Sequence, residues 1–354
     1  MSDTETKTVL VVGATGFLGP ALVEEFAVAG FRVICGVRSP DKAARQCGLP
    51  ADQCIIIDCN EDLDVGTWLR RLRECAPDVV VNNVGIANCF GSQSLENVNV
   101  RAPLALFEAV RLYRTEKMLS GPPREYLPVV QISTTGVGWP DFERFAYPLT
   151  KMMMEEALAA MDELDWIIVR PNVIFEPGRG HLLLERIASF PLVFYIGRAH
   201  IQPIHCRELA VGVVRLVRNI SASRHHVFTA AGPEALTWKE IFQQSKRALN
   251  KHWGIFLPAP LKLAQLFTML VQHLPEGILR QLGIFAKMDP ETMVMMTRGS
   301  EADNRQWLRY TGVRSLRLFE SYDAYGQGPE VYGEFIRRLR EEYLTDGKEI
   351  IKEA

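Results

Sequence analysis

The sequence has no excess of charge of either sign, since 40 basic and 42 acidic side chains leave a net charge of −2. Proteins that bind nucleic acid or a membrane surface through electrostatics carry an excess of basic residues, and the composition shows none. No apolar run is both long enough and uninterrupted enough to span a bilayer. We therefore expect a globular protein that binds no nucleic acid, with membrane contact an unfavoured alternative.

Cysteine pairs at metal-binding spacing are also absent. The seven cysteines are dispersed and form no CxxC or CxxH motif, so we predict no metal site. An odd, dispersed set is typical of a reducing compartment. The polar stretch MSDTETKT leads directly into an apolar run without a signal peptide ahead of the fold, so we expect a cytoplasmic protein.

What the sequence does contain is a regular alternation of short β-branched runs and helix-like segments. Strands are predicted at residues 8–12, 31–37, 54–57, 78–81, 126–132 and 166–169. Helices are predicted at residues 18–29, 65–75 and 147–164. Strands that are apolar throughout and alternate with helices are typical of a parallel sheet with both faces covered.

This alternation predicts an α/β fold with a Rossmann-type doubly wound parallel sheet. We place the nucleotide-binding domain at residues 7–175, with the chain returning to the sheet around residues 200–230. Beyond residue 175 the pattern is less regular, and Gly, Pro and aromatic residues become frequent. We therefore assign residues 176–354 mainly to a smaller substrate-binding lobe and C-terminal helices, near the carboxyl ends of the strands, where ligands of such sheets bind.

A glycine-rich turn follows the first predicted strand in the run VLVVGATGFLG. Gly13, Gly16 and Gly19 open the first helix, where a tight turn lets the backbone approach a pyrophosphate and the helix N terminus favours negative charge. The spacing is GxxGxxG rather than the usual GxGxxG. We predict a phosphate-binding turn that also includes Thr15, Phe17 and Leu18.

The end of the second predicted strand indicates which cofactor is bound. An acidic residue there binds the ribose 2′-hydroxyl of NAD, whereas an Arg accommodates the 2′-phosphate of NADP. The sequence VICGVRSPDK places Arg38 and Ser39 there, and no acid. We favour NADP, with NAD the alternative. Asp58, after the third strand, is placed either to contact the adenine edge or to cap the next turn.

Together with these residues, further motifs resemble the short-chain dehydrogenase/reductase superfamily in its extended or atypical branch, which is similar to NAD-dependent epimerases and dehydratases. The segment VVVNNVG resembles the wall of the adenine ribose site and implies that Asn82, Asn83, Val84 and Gly85 lie near the cofactor. The segment RPNVIFEPG implies that the backbone of Pro171, Asn172 and Val173 faces the nicotinamide. Asn99 matches a helix Asn of the family.

A Tyr-x-x-x-Lys pair stands at Tyr147 and Lys151, which share one face if the segment is helical. The resemblance implies that Tyr147 is the catalytic acid/base, and that Lys151 binds the nicotinamide ribose and lowers the pKa of the tyrosine. It also implies that Thr134, with Ser133 beside it, orients the substrate oxygen.

Residues 255–287 are rich in apolar side chains, at helical spacing from Leu261 to Leu274. The segment is either a cap over an apolar pocket, a plain core helix, or a surface helix that touches a membrane or a partner. A cap favours an apolar substrate. A nucleotide sugar stays an alternative substrate, because Arg179, Arg198 and Arg207 offer positive charge for its phosphates.

These observations predict an NADP-dependent oxidoreductase that moves a hydride between the nicotinamide and a carbonyl or alcohol carbon of a small molecule. Two alternatives stay open. One is an NAD-dependent epimerase or dehydratase of sugar type, and the other is a non-catalytic subunit that only binds the cofactor. The resemblance also implies that two chains pair as a homodimer, for which the helix with Tyr147 is one candidate surface.

Overall fold

A computed structural model provides the structure, and it describes residues 6–87, 93–120, 126–179, 190–251, 253–272 and 290–345. Its centre is a seven-stranded sheet in which every pairing is parallel. The strands of this sheet are β1 Thr8–Val12, β2 Arg32–Val37, β3 Cys54–Ile56, β4 Val79–Asn82, β5 Pro128–Ile132, β6 Asp165–Pro171 and, later in the chain, β10 His226–Ala230.

The order of the strands is β10-β6-β5-β4-β1-β2-β3. The chain therefore starts at β1, runs outward through β2 and β3, and then crosses back to β4 on the other side of β1. The reversal between β1 and β4 leaves a crevice at their carboxyl ends, where ligands of this topology bind. The predicted Rossmann-type doubly wound α/β fold is confirmed.

Helices cover both faces of the sheet. They are α1 Gly19–Val28, α2 Pro40–Cys47, α3 Val65–Cys75, α4 Ala102–Ser120, α5 Ala146–Ala159 and α6 Cys206–Arg218, followed by the short α7 Ile220–Ser223. Alternate residues of β1 enter two separate cores. Val9 and Val11 pack on the side of Phe26 in α1, whereas Leu10 and Val12 pack on the side of Leu106 in α4.

The second lobe is built from short elements. They are β7 Ile174–Phe175, β8 Leu192–Tyr195, β9 Ile204–His205, α8 Trp238–Ala248, β11 Ile255–Pro258, α9 Leu261–Gln272, α10 Pro290–Met295, α11 Arg305–Thr311, α12 Leu318–Gly326 and α13 Pro329–Arg340. The strands pair as β7 with β9 and β8 with β11, all parallel. Trp139, in the loop after β5, donates its indole N–H to the carbonyl of Gly299 at 2.8 Å and so links the lobe to the carboxyl edge of the sheet.

The described part of the predicted cap segment has an exposed apolar face, so the cap stays a prediction. Leu263, Leu266 and Leu270 are exposed, while Thr268 is buried. Residues 273 and 274, like the rest of the predicted segment to residue 287, lie outside the described residues. Within the described part of the chain, no helix combines the length and the apolar content that are needed to cross a bilayer.

Helix α13 and the π-helical turn after it, Glu341–Thr345, return to the nucleotide-binding half of the chain. Leu339 and Leu344 join the same core as α1 and α6. The guanidinium of Arg340 donates to both carboxylate oxygens of Glu25, a fully buried residue in α1. A division at residue 175 stays a prediction, and the core of the first half includes side chains from the far end of the chain.

Candidate nucleotide and catalytic site

The glycine turn between β1 and α1 is closely packed against the neighbouring strands. Gly13 has a φ of +80°, and its N–H donates to the carbonyl of Gly36 in β2 at 3.0 Å. At Gly19, an added Cβ would lie 2.3 Å from the carbonyl oxygen of Ala14. Leu18 at the N-cap makes no side-chain hydrogen bond to the helix. The N terminus of α1 therefore offers backbone N–H groups and the positive end of its dipole to an anion.

We expect Gly19→Ala to lower the affinity for the nicotinamide cofactor by at least about tenfold, because the turn must open to relieve the contact with Ala14. Stability should fall by about 1–3 kcal/mol. Calorimetric titration and urea unfolding measure the two effects. The matched control is Gly333→Ala in α13, where an added Cβ meets no atom within 4 Å; it should leave the affinity unchanged and raise stability by up to about 1 kcal/mol, as Ala replaces Gly inside a helix. Equal behaviour of the two variants would contradict the role of the turn.

The segment after β4 forms a wall beside the glycine turn. The side-chain amide of Asn83 donates to the carbonyl of Gly13 at 3.1 Å. The amide of Asn82 is buried and donates to Gln131 at 2.7 Å, while its oxygen accepts from the N–H of Val84 at 3.3 Å. Asn82 therefore shapes the wall from within the core, and Asn83 fixes the turn against it.

Asn99 ties this wall to the helix that carries the Tyr-Lys pair. It lies in a π-helical turn, Asn97–Arg101, and its side chain bonds both the N–H and the carbonyl of Ile86 at 2.9 Å. Its amide also donates to the hydroxyl of Thr150 at 3.0 Å. π-turns inside helices are frequent at functional sites. Here the turn directs a buried amide at both the loop after β4 and helix α5.

Tyr147 and Lys151 meet the same wall. They share one face of α5, and an added Cβ at Gly85 would lie 2.6 Å from Nζ of Lys151 and 3.8 Å from the ring of Tyr147. Lys151 is buried and donates to the carbonyls of Val84 at 2.7 Å and Ile132 at 3.0 Å. The structure therefore brings Gly85, Tyr147 and Lys151 together at the carboxyl ends of β4 and β5.

The pKa values differ from the simple expectation. Burial raises the pKa of Tyr147 to about 12. Burial also lowers the pKa of Lys151 to about 8, partly opposed by the charge of Glu155. Nζ of Lys151 lies 6.0 Å from the centroid of the Tyr147 ring, and it donates hydrogen bonds to backbone carbonyls. The expected lowering of the tyrosine pKa by Lys151 is therefore wrong for this arrangement, since desolvation outweighs the ammonium.

The two hydroxyl residues after β5 have different partners. Thr134 is half-buried, and its oxygen accepts the N–H of Gly136 at 3.2 Å, which leaves the hydroxyl proton to donate elsewhere. Ser133 is buried and donates to the carboxylate of Glu155, which also accepts from Arg170. Sequence reasoning missed Glu155, although it follows Lys151 by four residues and so extends the face of Tyr147 and Lys151.

The residues predicted to select the cofactor lie at the loops after β2 and β3. Arg38 is exposed directly after β2, and it makes no side-chain hydrogen bond or salt bridge with another residue in the described part of the chain. Ser39 caps α2, accepting the N–H of Lys42 at 3.4 Å. Asp58 accepts the N–H of Asn60 at 3.0 Å, so its carboxylate caps the next turn. Of the two interpretations of Asp58, the capping contact is the one observed.

Two further predicted features have structural partners. Asn172 is buried, and its side chain accepts the hydroxyl of Ser300 at 3.0 Å, which holds the second lobe against the end of β6. In the segment 171–173, the backbone therefore remains for contact with a ligand.

Arg207 pairs with Glu176 at 3.0 Å and Glu25 at 3.1 Å, and Arg179 pairs with Glu176 at 3.1 Å. Paired guanidinium groups are poor candidates for the phosphates of a nucleotide sugar.

A seven-stranded parallel sheet with a glycine turn at its switch point defines a Rossmann-type protein of the nucleotide-binding class. The model of the NAD dependent epimerase/dehydratase family matches residues 9–230, which is more than half of the chain. The chain belongs to this family, and the predicted membership of the extended branch of the short-chain dehydrogenase/reductase superfamily is confirmed.

Comparisons of sequence and of structure also identify individual proteins that the chain resembles at low sequence identity. The chain is 25% identical over 236 residues to the mitochondrial NADH dehydrogenase (ubiquinone) 1 alpha subcomplex subunit 9 of Dictyostelium discoideum, covering 65% of this chain and 61% of the relative. The chain thus spans about three fifths of that relative. Two solved structures share the fold. The human epimerase family protein SDR39U1 (isoform 2) with NADPH has a TM-score of 0.62 and 19% identity, covering 91% of this chain and 100% of that one. UDP-glucuronic acid 4-epimerase from Bacillus cereus with UDP-glucuronic acid and NAD has a TM-score of 0.62 and 16% identity, covering 94% and 99%.

Proposed function

We propose that this protein is an NADP-dependent oxidoreductase that reduces a carbonyl group of a small molecule. The observation that carries the proposal is the meeting of Tyr147, Lys151 and Gly85 at the crevice, beside the glycine turn of α1. The first group is a proton donor, the second a cation, and the third leaves space for both. The cofactor, when bound, supplies the hydride.

Tyr147 delivers the proton in this proposal. Because burial raises its pKa to about 12, the side chain is a neutral phenol at neutral pH and is prepared to donate rather than to accept. Its hydroxyl makes no hydrogen bond to any other residue that the structure describes. A substrate oxygen that gains negative charge on reduction can therefore take this proton, assisted by a hydrogen bond from Thr134.

Lys151 acts as a positioning and charge-bearing group. A pKa of about 8 keeps most of its amine protonated at neutral pH, and two backbone carbonyls fix the amine beside Tyr147. A fixed ammonium at this place stabilises negative charge that develops on the substrate oxygen, and it offers a remaining N–H to a ribose hydroxyl.

Arg38 selects NADP over NAD in this proposal. It is the exposed cation directly after β2, beside the N terminus of α2, and both features suit a 2′-phosphate. The test is calorimetric titration with NADPH and NADH. We expect tighter binding of NADPH, and a selective loss of about tenfold or more for NADPH in Arg38→Ala, as for removal of one charge-assisted contact.

The control for this titration is Arg305→Ala, since Arg305 is an exposed guanidinium in α11 that pairs with Asp303 in its own segment. This variant should bind both cofactors as the natural protein does. A preference for NADH that Arg38→Ala leaves unchanged contradicts the choice of NADP and moves epimerase or dehydratase chemistry to the front. If the tight NADPH binding is found, NADPH oxidation with a panel of aldehydes and ketones tests the reduction itself.

One observation favours a second candidate function. One relative is named as a subunit of an NADH dehydrogenase (ubiquinone). A cofactor-binding subunit without turnover is therefore the alternative, and it predicts cofactor binding without NADPH oxidation. A cap over the pocket would favour an apolar substrate, and that preference stays a prediction.

A further inference from the structure

The polarity of α9 is reversed relative to an ordinary surface helix. Leu263, Leu266, Phe267 and Leu270 follow the spacing of one helical face, and all are more than half exposed. Among residues 261–270 of the helix, Thr268 is buried, and Gln265 donates to the carbonyl of Pro290 at 3.5 Å. The helix thus packs its small and polar side inward and presents a leucine-rich stripe outward.

The adjoining strands show the same feature. In the β8 and β11 pair, Ile255 lies beside Leu192, and Leu257 lies beside Phe194. All four side chains are on one face of this small sheet, and all are exposed, while Val193 on the other face is buried. β11 ends at Pro258 and α9 starts at Leu261, so the two apolar surfaces are joined by a two-residue connection. We call the two together the lobe's apolar face.

The strands and the helix of this face carry Lys262 and no acidic residue, whereas Glu291 on the adjoining α10 accepts the N–H of Ala146 at 2.7 Å. In sequence, residues 241–275 contain four basic residues and no Asp or Glu; of the four, Lys246 is buried and donates to the carbonyl of Phe190. Lys262 is exposed on α9 itself. Trp253, 71% exposed, lies directly before β11. The net charge of the whole chain is near zero, although residues 241–275 contain basic residues and no acidic ones.

We propose that the lobe's apolar face binds the surface of a membrane that contains anionic lipids. Leucine and phenylalanine on one helical stripe, an exposed tryptophan and flanking lysines are the composition of helices that lie in a membrane interface. The exposed Lys262 on α9 attracts anionic headgroups. It also disfavours a second copy of the chain as the occupant, because two such faces would bring like charges together. The protein thus lies on the membrane without spanning it.

Flotation of the purified full chain with vesicles tests the proposal. Vesicles of phosphatidylcholine alone are compared with vesicles of equal parts phosphatidylcholine and phosphatidylglycerol. We expect binding to the second kind, weakened by added salt because the headgroup attraction is screened. Leu263→Glu and Phe267→Glu should each lower the bound fraction at least about tenfold, since each withdraws a large apolar side chain from the lipid.

The matched control is Leu119→Glu, which places the same charge at an 84% exposed leucine of α4, away from the lobe. It should bind as the natural protein does. Equal binding to both vesicle types, no binding to either, or unchanged binding of the two lobe variants overturns the proposal. A dimer that is stable in sedimentation and that Leu263→Glu converts to monomers also overturns the proposal, because the face is then an interface between copies of the chain. The assay needs no turnover, so its outcome is independent of the proposed reductase activity.

Discussion

Tyr147→Phe is expected to lower NADPH-dependent reduction by about 10²–10⁴-fold while leaving cofactor affinity nearly unchanged. The substitution removes the phenolic proton and nothing else, and that hydroxyl has no other partner among the residues that the structure describes. The substrate oxygen must then take its proton from water. Steady-state rates give the first quantity, and calorimetric titration with NADPH gives the second.

The matched control is Tyr310→Phe in α11. The hydroxyl that it removes lies 3.4 Å from His226, at the start of β10 and away from the carboxyl ends of β4 and β5. This variant should reduce substrate at the rate of the natural protein. A Tyr147→Phe variant that keeps full activity would refute the assignment of the acid. No NADPH oxidation in either protein, together with intact cofactor binding, would favour the non-catalytic subunit.

The second large effect is expected in stability, at the charge cluster between α1, α6 and α13. Glu25 is fully buried and accepts from Arg207 at 3.1 Å and from Arg340 at 2.8 Å. Glu25→Ala leaves two guanidinium groups without this partner in a desolvated site. Removing one side of a buried ion pair costs about 3–5 kcal/mol, which urea unfolding measures directly.

Its neighbour Glu24 provides the comparison within one helix. Glu24 bonds the same two arginines, but its side chain is 45% exposed. Glu24→Ala should cost less than about 1 kcal/mol, because water replaces the lost contacts. Equal losses in the two variants would show that burial does not determine the strength of this cluster.

The fold was predictable from the sequence because its signal is local. Each strand of the nucleotide-binding half is a short apolar run next to a glycine or a turn, and parallel pairing follows from the intervening helices. The boundaries were less predictable. Helix α5 ends at Ala159 rather than at 164, because the chain turns there to bury Leu164 and to place Asp165 at the start of β6. The small β8 and β11 sheet depends on contacts between distant segments, which local patterns do not encode.

The site shows the same division. Spacing alone predicted that Tyr147 and Lys151 share a face, and α5 has that face. It did not predict that Lys151 bonds one carbonyl in the loop after β4 and one at the end of β5, or that burial raises the pKa of Tyr147 to about 12. These properties depend on how deeply the helix lies against the sheet. Burial is set by the complete fold, so a single sequence pattern does not contain it.

The return of α13 has a consequence for how the chain assembles. Leu339 and Leu344 complete a core to which Val9 and Val11 also belong, although more than three hundred residues separate them along the chain. Contacts of such high sequence separation form late, since a long loop must close before they are made. A ribosome that has released β1 to β6 has therefore not yet released the residues that seal α1. The nucleotide-binding half reaches its final packing only after almost all of the described chain has been synthesised.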